Sequence, residues 1–288
     1  MFRLLRPRQW TKNLLLFAAL IFANQLFDLD SFLLASLAFA AFCMASSSVY
    51  VVNDLLDVER DRRHPSKRYR PIAAGEVSTG RAVAMAAALT LASLALAFWI
   101  APAFGLAVLL YIGLTHFYSL AGKNIVILDV LLVAFGFVIR AIAGALAISV
   151  PISDWFILCT AFLALFMAVS KRKAELVALK EGAPDARPVL EHYTETSLNT
   201  YIAVTMGATL LCYGLYVLDF QRELGNDLRL LMLTFPVVVF GIFRYHHLAE
   251  TTDMGDKPEE VLLRDRPIQM CGVAFGLLAV AALYWSGS

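Results

Sequence analysis

A chain of 288 residues in which 60% are hydrophobic and only 16% are charged does not have the make-up of a water-soluble domain, where about a quarter are charged. Mean hydropathy is +0.70, the composition of an all-α polytopic membrane protein. The formal net charge is +1, so the totals give no sign of a nucleic-acid partner, and only the distribution of charge is informative.

In chain order, apolar runs predict spans near 13–27, 31–52, 81–101, 102–121, 125–149, 154–170, 197–218, 228–243 and 268–286, a bundle of nine transmembrane helices. The basic residues ahead of "LLLFAALIFA" mimic a secretory signal, but the rest of the chain is membrane-spanning, so this run is taken as the first span. The third and fourth spans are parted only by the break "IAPAFG". Of the 24 Lys and Arg, all but Arg140, Arg222 and Arg229 fall on alternate connections that begin with the N-terminal segment. That asymmetry predicts a cell-membrane protein with a cytoplasmic N-terminus and an external C-terminus. No linker, soluble insert or internal repeat interrupts the pattern, so residues 1–288 are expected to form a single integral-membrane domain. Cys43, Cys159, Cys212 and Cys271 lie in apolar runs without metal-ligand spacing and are expected to be small core residues.

The charge at the end of the second span has a pattern of its own. Asn53, Asp54, Asp57 and Asp61 read N-D-x2-D-x3-D. On a helix the three carboxylates share one face, repel one another and call for a cation. Carboxylate and amide oxygens are hard ligands that suit Mg²⁺, which commonly bridges to substrate phosphates. A solvated helix end bonded to its own arginines is the alternative. Glu59 lies off the row. Arg60, Arg62, Arg63, Lys67, Arg68 and Arg70 follow at once, and guanidinium forks match phosphate oxygens. Together the two halves predict a site for a magnesium-bound diphosphate and a further phosphate. Arg8, Lys12 and Asn13, and Lys171, Arg172 and Lys173, lie on connections expected to face the same side, as phosphate ligands or as topology anchors. Arg140 sits within a span, where a charge normally faces a polar cavity or a partner such as Asp219 or Glu223. It shares a helical face with Asp129, about 16 Å away along the axis.

The acidic row in such a bundle resembles the UbiA superfamily of intramembrane prenyltransferases. The blocks "RPRQWTKN" (6–13), "NDLLDVERDRRHPSKRYRPIAAG" (53–75), "IRAIAGA" (139–145), "KRKAEL" (171–176), "EHYTETSL" (191–198), "LCYGLY" (211–216) and "LRDRPIQ" (263–269) are similar to its decaprenyl-phosphate phosphoribosyltransferase branch. The resemblance implies Mg²⁺-dependent transfer of 5-phosphoribose from 5-phosphoribosyl 1-diphosphate to a polyprenyl phosphate, with release of diphosphate. It implies catalytic roles for Asp54, Asp57 and Asp61, metal ligation by these with Asn53, and substrate contacts from Arg62, Lys67, Arg68 and Arg70. Lys12, Asn13, Lys171, Arg172 and Tyr193 are implied substrate ligands, and a homo-oligomer such as a trimer is implied as well. The superfamily's second motif, D-x3-D, is reduced here to "YSLAGKNIVILD", which keeps Tyr118, Lys123 and the single acid Asp129; Lys123 is expected to serve a phosphate or anchor the loop. The competing expectations are prenyl transfer from a prenyl diphosphate to an aromatic or other acceptor, and a transporter whose clustered charge lines a vestibule.

Overall fold

The computed structural model describes residues 2–63, 67–180, 188–224, 229–252, 261 and 264–284. Residues 64–66 of the basic tail, residues 181–187, 225–228, 253–260 and 262–263 of the connections, and residues 285–288, which include the end of the last expected span, lie outside the described residues. Every described element is helical, and among the described residues eight helices are long and apolar enough to cross a membrane. The chain divides into two compact units, residues 1–123 with 139–151 and residues 124–138 with 152–288.

In the first unit the N-terminal apolar run is wound as a 3-10 helix, Pro7–Phe17, followed by the short α1, Ala18–Phe22. The segment expected at 13–27 is therefore not a ninth long α-helix. With the 2.0 Å rise of a 3-10 helix, its 11 residues extend about 22 Å and α1 adds about 8 Å, close to the thickness of a bilayer's hydrocarbon core. Hydrogen bonds tie this segment to α2, Leu29–Leu56: Trp10 Nε1 donates to Ser47 Oγ at 3.0 Å, and Ser47 Oγ donates to the Leu5 carbonyl at 2.9 Å. The N-terminus of α2 is capped by Asp28, whose carboxylate accepts from the Ser31 amide at 2.9 Å.

A short helix, α3, Val58–Arg63, continues beyond α2, and a turn closed at Gly75, φ +76°, leads to α4, Thr79–Ile100. The pairing of α2 with α4 relies on small residues. Ala38, Ala41 and Ala45 on one helix and Ala82, Ala86 and Ala97 on the other are buried, so the backbones approach closely without a large apolar side chain between them. Interhelical bonds follow from that approach: Ser93 Oγ to the Ala41 carbonyl at 2.7 Å and Ser48 Oγ to the Ala86 carbonyl at 3.0 Å. Helix α4 stops where expected, because Pro102 holds Ala101 extended and then occupies the first turn of α5, Pro102–Leu120.

Helix α6, Leu128–Ala147, is shared, with residues 128–138 in the second unit and 139–147 in the first. The second unit also holds α7, Asp154–Lys180, α8, Glu195–Leu224, α9, Thr234–Thr251, and α10, Arg266–Tyr284. Helix α7 extends ten residues past its expected end at 170. The charged stretch "KRKAELVALK" is made largely of strong helix formers and buries Arg172 and Leu176, so its charges did not end the helix. Phe166, Val169, Leu176, Leu190, Leu198 and Ile202 form the core of this unit. Many large apolar side chains remain exposed, among them Leu91, Trp99, Leu110, Val204 and Leu277. On spanning helices that is the surface lipid covers. All four cysteines are free and buried or half-buried, as expected.

Candidate active site

The acidic row spans a break. Helix α2 ends at Leu56, with Asp57 as its C-cap (φ −95°, ψ 7°), and α3 begins at Val58. The row was expected on one continuous helix. Its i→i+4 backbone bonds nevertheless persist across the break, from the Asp57 amide to Asn53 at 3.0 Å and from the Asp61 amide to Asp57 at 2.8 Å. The side chains therefore stay on neighbouring turns.

Asp54 and Asp61 are buried, each with its side chain 3% exposed, and arginines cover them. Arg70 Nη1 bridges the two, 3.2 Å from Asp54 Oδ1 and 2.6 Å from Asp61 Oδ2. Arg6 pairs with the same Asp54 oxygen. The Arg6 guanidinium also sits 5.0 Å above the ring of Tyr50, one helical turn before Asp54, so a single face of α2 grips it twice. Arg6 is held in the left-handed region, φ 51° and ψ 59°, as the N-cap of the 3-10 helix. Asp57 is more open, with Lys123 Nζ 4.0 Å from its Oδ1. Asn53 Oδ1 is buried with no hydrogen-bond partner among the described residues.

These are hard oxygen donors, and the orphaned amide oxygen of Asn53 beside three carboxylates fits a hard divalent ion. In the present conformation no three acids, histidines or cysteines converge on one point among the described residues. The reason is visible: the two buried carboxylates are turned onto Arg6 and Arg70.

The basic tail is spread rather than clustered. Arg62 pairs with Glu59 at 2.7 Å on an exposed face and reaches the Ala73 carbonyl at 3.4 Å. Arg68 donates to the Tyr69 hydroxyl at 2.6 Å and lies 4.8 Å over the same ring. Of Arg62, Arg68 and Arg70, it is Arg70 that is brought onto the acidic row. Lys67, Lys12 and Tyr118 are half-exposed.

Deeper in the first unit, Arg140 Nε donates to Asn13 Oδ1 at 2.9 Å and Nη2 donates to the Tyr111 hydroxyl at 2.8 Å, with the guanidinium 4.7 Å over the Tyr111 ring. Asn13 Nδ2 in turn reaches Ser46 Oγ at 3.3 Å. Of the acids considered as partners for Arg140, Asp219 is exposed and the Glu223 side chain lies outside the described residues. In the second unit, Asp129 is fully buried and accepts from Arg172 Nε at 2.5 Å and from the Tyr193 hydroxyl at 2.7 Å. The Tyr193 oxygen also accepts from the Ile127 amide at 2.7 Å, and Arg172 Nη1 reaches Glu175 at 2.7 Å. Burial and the bond to the Asp129 carboxylate push the Tyr193 phenol far above its ordinary value, so it remains a donor. Arg172 and Tyr193, expected as substrate ligands, are thus joined by Asp129. Lys171 is half-exposed.

Sequence reasoning did not single out Arg6, Tyr50 or Tyr111. Arg6 opens the block "RPRQWTKN", the one signal that pointed at it; its partner lies 48 positions away.

The model of the UbiA prenyltransferase family matches residues 14–259, and the chain belongs to that family. It is 39% identical to a Mycolicibacterium smegmatis protein named decaprenyl-phosphate phosphoribosyltransferase, over 98% of this chain and 91% of that one. A Mycobacterium tuberculosis protein of the same name is 38% identical over 94% of this chain and 90% of its own. Among solved structures, a UbiA homologue from Archaeoglobus fulgidus bound to DMAPP and Mg²⁺ superimposes with a TM-score of 0.71, covering 98% of each chain at 20% identity, a likeness of fold.

Proposed function

We propose that this protein transfers 5-phosphoribose from 5-phosphoribosyl 1-diphosphate to a polyprenyl phosphate, releasing diphosphate and forming a polyprenyl-phosphoryl 5-phosphoribose. The observation that carries the reading is the two-signed row of the first unit, where Asp54 and Asp61 lie within hydrogen-bond distance of guanidinium forks. Support comes from the names of the mycobacterial relatives, which match nearly the whole chain. The donor has the same two needs: a diphosphate to be held through a cation and a 5-phosphate to be held by cations directly.

In this reaction the ribose C1–O bond to diphosphate breaks while an oxygen of the lipid phosphate bonds to C1, through oxocarbenium-like character. A magnesium ion held by Asn53, Asp54, Asp57 and Asp61 would neutralise charge on the departing diphosphate. Arg62, Lys67, Arg68 and Arg70 bind the donor's phosphate by forked or point-charge contacts. Lys123, beside Asp57, answers the charge of a phosphate oxygen there. Asn13 and Arg140 are buried and bonded to each other, and Lys12 and Tyr118 offer half-exposed donors in the same unit. The acceptor is already an anion, so no general base is needed. The distribution of Lys and Arg favours the cell membrane, with the N-terminus and this row on the cytoplasmic side.

The test is purified protein with labelled 5-phosphoribosyl 1-diphosphate, Mg²⁺ and polyprenyl phosphates of several lengths. Labelled lipid is expected, lost on chelation and restored by Mg²⁺. No labelled lipid at any length, or a prenylated acceptor formed while the sugar donor stays intact, overturns the assignment.

A further inference from the structure

We propose that Arg6 is a donor-binding residue that, without ligand, serves as the counter-ion of Asp54 and moves to a donor phosphate when a divalent cation takes the carboxylate. This rests on the proposed function for the identity of the donor. Asp54 has a side chain only 3% exposed, whereas that of Arg6 is 27% exposed, so the pair is more open to solvent at the guanidinium than at the carboxylate. Arg70, with 29% exposure, stands in the same relation to Asp54 and Asp61.

The charges explain why the exchange is coupled. Two carboxylates and two guanidinium groups are balanced as they stand. A divalent cation added alone displaces two arginines from their carboxylates and adds positive charge beside them, and like charges repel. A diphosphate added alone meets two buried carboxylates. Added together, the cation takes the carboxylates and the phosphate takes the arginines, and every charge keeps a partner. Metal and donor therefore promote each other's binding. The left-handed backbone at Arg6 and the Tyr50 ring beneath its guanidinium hold the side chain beside the row in the ligand-free state. A flat ring below leaves the guanidinium edge free to turn between two oxygen partners.

The test reads binding rather than turnover. Full-length protein in detergent is titrated with Mn²⁺ alone, followed by the paramagnetic resonance of the free ion. It is titrated separately by calorimetry with 5-phosphoribosyl 1-diphosphate in saturating Mg²⁺. Wild type, Arg6→Gln and Arg6→Lys are compared. Arg6→Gln removes one of the two guanidinium partners of Asp54, so Mn²⁺ alone should bind about fivefold tighter or more, the lower end of ordinary coupling. Its donor affinity should fall about tenfold or more, the loss of one charge-assisted bond. Arg6→Lys keeps the cation and should resemble wild type with metal alone, yet lose donor affinity because an ammonium has no fork. The idea is overturned if Arg6→Gln binds Mn²⁺ no tighter than wild type, or if either variant keeps full donor affinity. The metal titration contains no donor. If wild type fails to bind 5-phosphoribosyl 1-diphosphate at all, the proposed function falls, and the metal titration still decides whether Arg6 guards Asp54.

Discussion

Asp129 commits both its oxygens, one to Arg172 and one to Tyr193, and no part of its side chain is exposed. A buried ion pair adds little compared with apolar packing, but breaking it strands a charge. Asp129→Asn should therefore destabilise the protein by about 3–5 kcal/mol, read as a lower thermal midpoint in detergent. Tyr193→Phe removes the hydroxyl that links Asp129 to the Ile127 amide and should cost about 1–3 kcal/mol, because both groups are left short of a partner. At this scale the sequence named many of the polar residues but not their pairings. Asp54 with Arg6, Asp129 with Arg172 and Arg140 with Asn13 are separated by 48, 43 and 127 positions, beyond what helical periodicity can connect.

Elements were more legible, and their departures have local causes. The break at Asp57 divides a row that i, i+3, i+7 spacing placed on one helix, and the N-terminal run winds as a 3-10 helix against α2. Gly144 explains part of that close approach. A Cβ there would overlap the backbone of Leu16, whose Cα would lie 2.9 Å away. Gly144→Ala should push the 3-10 helix from α6 at a cost of about 1–3 kcal/mol, the usual penalty for overpacking. It should also disturb Asn13 and Arg140, so the loss of stability should be accompanied by weaker donor binding. Elsewhere in the same unit, the Ser31 side-chain and backbone bonds hold the Asp28 carboxyl below its ordinary value of 3.8. A depressed carboxyl stabilises above its unfolded value and loses that contribution as pH falls through its folded one. Acidification below 3.8 should therefore fray the first turn of α2, read as faster exchange of the Ser31 amide relative to its intrinsic rate. Asp28→Asn, a cap that does not titrate, should remove this acid dependence.

For the whole molecule, the membrane is the solvent that makes the composition intelligible. Exposed Trp99, Leu110 and Leu277 would be liabilities in water and are unremarkable against lipid. The proposed orientation is checked by cysteines introduced into a variant lacking the four native ones. Lys67→Cys should react with an impermeant thiol reagent only from the cytoplasmic side, and Asp30→Cys only from the outside; the reverse pattern would invert the topology. Hydropathy and the proline rule determined the helical class, the approximate positions of eight spans among the described residues and the turn at Pro102, because each depends on the transfer of a continuous segment into hydrocarbon or on a neighbour's backbone clash. The family was legible for a related reason: acidic residues at fixed spacing along a short stretch of chain are a local property. Only the tertiary structure decided which charges meet, that Arg6 belongs with the acidic row, and that Asp129 is taken by Arg172 and Tyr193. Those pairings depend on the energy of bringing distant ions out of solvent together, and no stretch of sequence contains both partners.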